Sequence, residues 1–225
     1  MTPEDALSAL RAQSDPERTP GMAAYHKTDR PCLGTPNPAI NDLVKDWRQD
    51  LSLPERTALA DGLWQSGVFE ARIAAAKLLT QARMRPSDSA AWDLMLTWVP
   101  EFDGWAIADH ACSALSRRVM ADLSRLDTLE GWTTSDHLWT KRAALVAALP
   151  LARLSIPKPE EIAARERVLG WAAGYTQDGA WFIQKAVGWW LRDLSKHDAD
   201  RVRTFLDTHS AAMKPFAVRE ASNYL

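Results

Sequence analysis

Four stretches of this chain share one pattern: RIAAAKLL from Arg72, RAALVAAL from Arg142, KAVGWWLR from Lys185 and REASNYL from Arg219. Each sets a cation near the start of a helix and follows it with small and apolar residues. Arg72 and Arg142 are 70 residues apart, twice 35, and Lys185 and Arg219 are 34 apart. The 43-residue step from Arg142 to Lys185 contains the proline-rich insert SIPKP. A period near 35–45 residues with two helices per period marks a helical solenoid. It constrains the fold strongly, because a lone helix pair cannot bury its apolar face and must stack on a neighbour.

The rest of the chain agrees. Apolar residues recur at three- and four-residue spacing in HLWTKRAALVAAL, ERVLGWAAGY and FIQKAVGWWLRDL. No alternating strand pattern with a hairpin turn is present. Helix entries are expected at Asn37-Pro38, Pro86-Ser87, Ser135-Asp136 and Asp198. Pro54, Pro157, Pro159 and Pro215 are expected to punctuate between helices. The expected fold is all-α: a curved α-solenoid, one domain over residues 1–225, with one helix of each pair lining a concave face.

On that face Arg72, Arg142, Lys185 and Arg219 would form a cationic ladder, while acids such as Glu160, Glu161, Asp198 and Asp200 lie on outer helices and turns. A curved cationic surface suits a phosphate backbone. The competing reading is that each cation snorkels from an otherwise buried helix. The net charge of -2 argues against nucleic acid only if positive side chains are not gathered on one face. Eleven tryptophans are several times the usual share.

Other classes of function find little support. No apolar run is long enough for a membrane span. The acidic, amphipathic start MTPEDALSALRAQ is unlike a signal peptide, which points to the cytoplasm. Cys32 and Cys112 lie far apart and are expected as free thiols. His26, His110, His137, His197 and His209 lack metal-ligand spacing, so no metal is expected, and a surface role is their default. There is no phosphate-cradling glycine loop and no nucleophile elbow.

One segment combines types that want different surroundings. In DGWAIADHA, Trp105 and Asp109 sit four residues apart, hence on one helix face. The indole wants burial and the carboxylate wants water or a partner. Trp105 and Asp109, then Arg142, then Trp189 one turn after Lys185, come from successive inner helices of the expected solenoid.

GWAIAD with HLWTKRAAL, followed by FIQKAVGWWLRDLSK and REASNYL, resembles the AlkD-like DNA alkylation-repair glycosylases. GMAAYHK and PCLG extend the resemblance over nearly the whole chain, in order. It implies HEAT-like helical repeats with a concave DNA-binding face. It implies excision of cationic N3- or N7-alkylated purines from double-stranded DNA by hydrolysis of the N-glycosidic bond, without a cofactor. By that resemblance Trp105 and Trp189 are aromatic walls against the lesion-bearing deoxyribose, Asp109 is the catalytic carboxylate, and Arg142 holds the adjacent phosphate. Tyr25 matches a family tyrosine in the N-terminal helix pair. Lys27, Arg72, Lys185 and Arg219 join it as DNA contacts.

The chemistry suits those residue types. An alkylated purine already carries positive charge and departs neutral, so no acid need protonate it. The sugar left behind becomes an oxocarbenium-like cation, and a fixed carboxylate stabilises charge where it develops. The same carboxylate can orient or deprotonate the attacking water. Tryptophan faces attract cationic groups by about 0.5–2 kcal/mol each. No lysine stands out as a Schiff-base nucleophile, so a monofunctional glycosylase is expected, and a monomer is expected as its working form. The rivals are a non-catalytic binder of unusual or branched DNA and a protein-interaction scaffold. The remaining tryptophans, Trp190 and Trp181 among them, are expected to pack between helices.

Overall fold

Helices in this protein are entered through prolines and short polar caps, and those entries set the repeat. The computed structural model describes residues 1–225, all in helices and connecting turns, with no strand. The chain divides into two units, residues 1–118 and 119–225. The first holds α1 (Pro3–Ala12), α2 (Thr19–His26), α3 (Asn37–Asp50), α4 (Leu53–Gln65), α5 (Phe69–Leu79), α6 (Ser89–Trp98) and most of α7 (Trp105–Ala121). The second holds α8 (Leu126–Trp132), α9 (Leu138–Ala147), α10 (Leu149–Ala152), α11 (Pro159–Gly174), α12 (Trp181–Ser195), α13 (Ala199–His209) and α14 (Pro215–Ala221).

The entries follow the chemistry of an exposed first turn. Thr2 and Asp5 close a reciprocal capping box on α1, and Ser52 and Glu55 close one on α4. Asp198 accepts from the Arg201 amide at the start of α13. Pro54, Pro159 and Pro215 lie inside the first turns of α4, α11 and α14 rather than between helices. A first-turn proline loses no hydrogen bond there. The entry expected at Pro86-Ser87 comes two residues later, with Asp88 before α6. The one at Ser135-Asp136 comes at His137.

In the first unit α5 is the central helix. It packs on α3 and α4 and is buried from Phe69 to Leu79 save for a partly exposed Lys77. Its alanine run Ala74–Ala76 lets both neighbours approach closely. Trp64 of α4 stacks on Trp98 of α6, with ring centroids 4.4 Å apart and planes 6° from parallel. In the second unit α12 is central and packs on α9, α13 and α14. A Cβ added at Gly188 would come within 3.0 Å of the Ala217 carbonyl oxygen of α14, so glycine sets that helix separation.

Polar contacts expose the repeat directly. Arg30 Nη1 reaches the Gly67 carbonyl and Trp64 Nε1 reaches Glu101, each 37 residues along the chain. Lys141 meets Asp178 and Arg167 meets Glu130, also at 37. Lys185–Glu220 and Arg201–Glu166 are each 35 apart. A bond that recurs at one sequence separation is what neighbouring, equivalent repeats produce.

Candidate functional site

The aligned cations occupy matching places in their helices. Arg142, Lys185 and Arg219 each fall four residues after the first residue of α9, α12 and α14, and Arg72 three after that of α5. In α7 the corresponding residue is Asp109, four after Trp105. One repeat thus carries an acid where its relatives carry a cation.

Trp105 opens α7 and is braced from the N-terminal helices. Its ring meets Tyr25 edge-on at 5.7 Å and His26 at 4.9 Å, and His26 in turn lies 4.7 Å from Phe69. Tyr25 is 71% exposed. Lys27, exposed, ends α2 in the left-handed conformation, with φ 51°. Trp105 and Asp109 are each half-buried. Ser113 Oγ donates to the Asp109 carbonyl at 2.9 Å, one turn further on.

Two acids hold the surrounding loops. Glu70 is fully buried on α5 and accepts from the Leu33 amide at 2.9 Å and the Gly34 amide at 2.7 Å. This pins the connection after α2. Gly34 has φ +79°, and a Cβ there would lie 2.1 Å from the Asp15 carbonyl. Asp103 Oδ2 lies 2.6 Å from Arg30 Nε, a charge contact rather than an aligned hydrogen bond. Sequence reading missed Glu70; its only trace is an acid in the first turn of a helix whose other charged residues are the cations Arg72 and Lys77.

A cavity of about 240 Å³ opens beside this cluster, lined in part by His26, Phe69, Glu70, Ile73, Trp105 and His110. The two histidines are half-buried rather than on the surface. Burial, helped by Lys77 and His26, pushes His110 down from its ordinary value to about 4. Burial also lowers His26, against the pull of Glu70. Both imidazoles beside the Trp105 wall are neutral near pH 7.

The expected contacts divide by environment. Arg72 is 5% exposed: its guanidinium lies 4.3 Å over Trp64, donates to the Trp64 carbonyl and pairs with Glu101 at 2.5 Å. It is occupied inside the first unit. In the second unit Arg142 is 3% exposed and lies 5.8 Å over the Trp139 ring. Trp189 is half-buried on α12. Lys185, one turn earlier, pairs with Glu220 at 2.6 Å, and Arg192 shares that acid at 2.8 Å. Arg219 is exposed on α14. Trp190 is fully buried, as expected of a packing residue, whereas Trp181 is 51% exposed and stacks on Phe216 at 5.4 Å. No cluster of three or more His, Cys, Asp or Glu side chains is placed to hold a metal. No helix is long and apolar enough to cross a membrane.

The fold defines a class of all-helical repeat proteins. The family model described as DNA alkylation repair enzyme matches residues 6–225, and the chain belongs to that family. Among solved structures it is similar to a protein described as a predicted DNA alkylation repair enzyme from Enterococcus faecalis. Identity is 24%, coverage is 95% of this chain and 97% of that one, and the TM-score is 0.78. It is also similar to AlkD2 from Streptococcus mutans, at 19% identity, with 83% and 88% coverage and a TM-score of 0.61. At these identities the likeness establishes the fold. No curated protein matches the chain.

Proposed function

We propose that this protein is a monofunctional glycosylase that releases N3- or N7-alkylated purines from double-stranded DNA. The observation that carries the reading is Asp109. It stands one turn after a braced Trp105, in a chain of the alkylation-repair family, at the repeat position that elsewhere holds a cation. A carboxylate beside an indole suits a sugar that gains positive charge as its neutral base departs.

In this reading Asp109 stabilises the oxocarbenium-like sugar and orients the attacking water. Trp105 and Trp189 pack on the damaged nucleotide, and Arg142 holds a neighbouring phosphate. Tyr25, Lys27, Lys185 and Arg219 contribute DNA contacts, with Lys185 shared between Glu220 and phosphate. Arg72 is left out, because its donors are taken by Trp64 and Glu101. The reaction needs neither metal nor cofactor.

The test is release of 7-methylguanine from methylated duplex DNA. Asp109→Asn is expected to lower the single-turnover rate by at least about 10²-fold, the scale of losing one preorganised electrostatic group. Duplex affinity should stay near that of the parent. A parent that binds duplex but releases no base would instead favour the non-catalytic DNA binder. Equal rates for variant and parent would remove Asp109 from the chemistry.

A further inference from the structure

A second recess of the first unit gathers cations without an acid. Lys45 and Arg48 of α3 and Lys77 of α5 line an opening of about 380 Å³, together with Asn41, His110 and Ser113. No carboxylate lines it. Arg48 is fixed by donating to the Leu78 and Thr80 carbonyls at 3.4 and 3.1 Å, which caps the end of α5. Lys77 Nζ donates to the neutral Asn41 side chain. Elsewhere Arg72, Lys141 and Lys185 each meet an acid, Glu101, Asp178 and Glu220 in turn. Lys45 is exposed at the rim while Arg48 and Lys77 are half-buried, and burial together with Arg48 disfavours the charged form of Lys77. An arrangement that costs stability in the free protein is offset once an anion enters.

We propose that Lys45, Arg48 and Lys77 form a site for a backbone phosphodiester of duplex DNA. This rests on the DNA-repair reading. The opening is the right kind of site: two flexible ammonium groups act as point charges and an anchored guanidinium supplies directed donors. Its place is also informative. His110 lines both this recess and the one beside Trp105, and Ser113 lies one turn beyond Asp109. The phosphate would therefore be gripped alongside the turn of α7 that carries the proposed catalytic carboxylate. In the first unit these residues take over the cationic role that the sequence pattern assigned to Arg72.

The experiment uses the full chain and an unmodified, fluorescently labelled duplex, so no glycosidic chemistry is involved. Binding is followed by anisotropy across a potassium chloride series. For Lys45→Ala/Lys77→Ala, the plot of log affinity against log salt should become shallower by about 0.9 for each phosphate that is no longer neutralised. Arg203→Ala, an exposed cation paired with Asp200 on α13, should keep the parent slope. Circular dichroism melting checks that the double variant is folded; Arg48 is left in place because it caps α5. A folded double variant with the parent slope overturns the proposal while leaving the glycosylase reading intact. A parent whose duplex binding ignores salt overturns both. A further arm adds inorganic phosphate at matched ionic strength. If it raises the melting temperature of the parent but not of the double variant while the duplex slopes agree, the site takes free phosphate and not DNA.

Discussion

His110 stands where the two recesses of the first unit meet, and its titration has a definite sign. Its folded value of about 4 lies below the ordinary histidine value near 6.5. Between those values the unfolded chain binds the proton that the folded protein refuses. The stabilising effect of keeping it neutral is therefore full above pH 6.5 and is lost as pH falls toward 4. At pH 5 the loss is about 2 kcal/mol relative to pH 7. His26 shifts in the same direction and adds to the slope. Urea unfolding of His110→Asn should show a clearly flatter stability profile between pH 7 and 5 than the parent. A profile parallel to the parent's would mean the imidazole is not shielded. Arg72 permits a contrasting test. Its guanidinium is stacked on Trp64 and paired with a partly exposed Glu101. Arg72→Ala should cost about 2–4 kcal/mol in urea unfolding. It should leave the salt dependence of duplex binding unchanged; a flatter slope would return Arg72 to the DNA-binding residues.

At the scale of elements, much of the fold is legible because its signals are local. Periodic apolar residues give α5, α9, α11 and α12, and Asn37-Pro38 and Asp198 mark the starts of α3 and α13 within a residue. The aligned cations fall at matching places in four helices because the repeat is real at the backbone level. Their chemistry was not legible, since each partner lies elsewhere in the fold: Glu101 for Arg72, Glu220 for Lys185. Those acids carry no pattern of their own, and whether a cation snorkels, pairs or faces solvent is decided by them. Lys45, Arg48 and Lys77 escaped for the opposite reason, coming from two helices with no shared motif. Gly188 is a further case. In sequence it interrupts a good helix, while in the structure it lets α12 and α14 touch. Gly188→Ala gains helix propensity, worth up to about 1 kcal/mol. It sets a methyl group 3.0 Å from a backbone oxygen that cannot rotate away. Net destabilisation of about 1–2 kcal/mol is expected from chemical denaturation; a stabilised variant would show that the helices separate without cost.

Within each unit, bonds reach 35–37 residues along the chain, one repeat length at a time. Stability in such an array is a sum of repeat and nearest-neighbour terms, so a lesion in the packing is felt most by adjacent repeats and less beyond them. Gly188→Ala lies in the second unit and Arg72→Ala in the first, and they share no partner. Native-state hydrogen exchange should report the difference in place. Gly188→Ala should lower protection in α9, α12 and α14 while α3 to α5 keep the parent's values, and Arg72→Ala should do the reverse. Their free-energy costs should add within about 0.5 kcal/mol in the double variant. If either substitution lowered protection evenly from α1 to α14, the protein would unfold as one cooperative body. The repeat would then describe its architecture without describing its energetics.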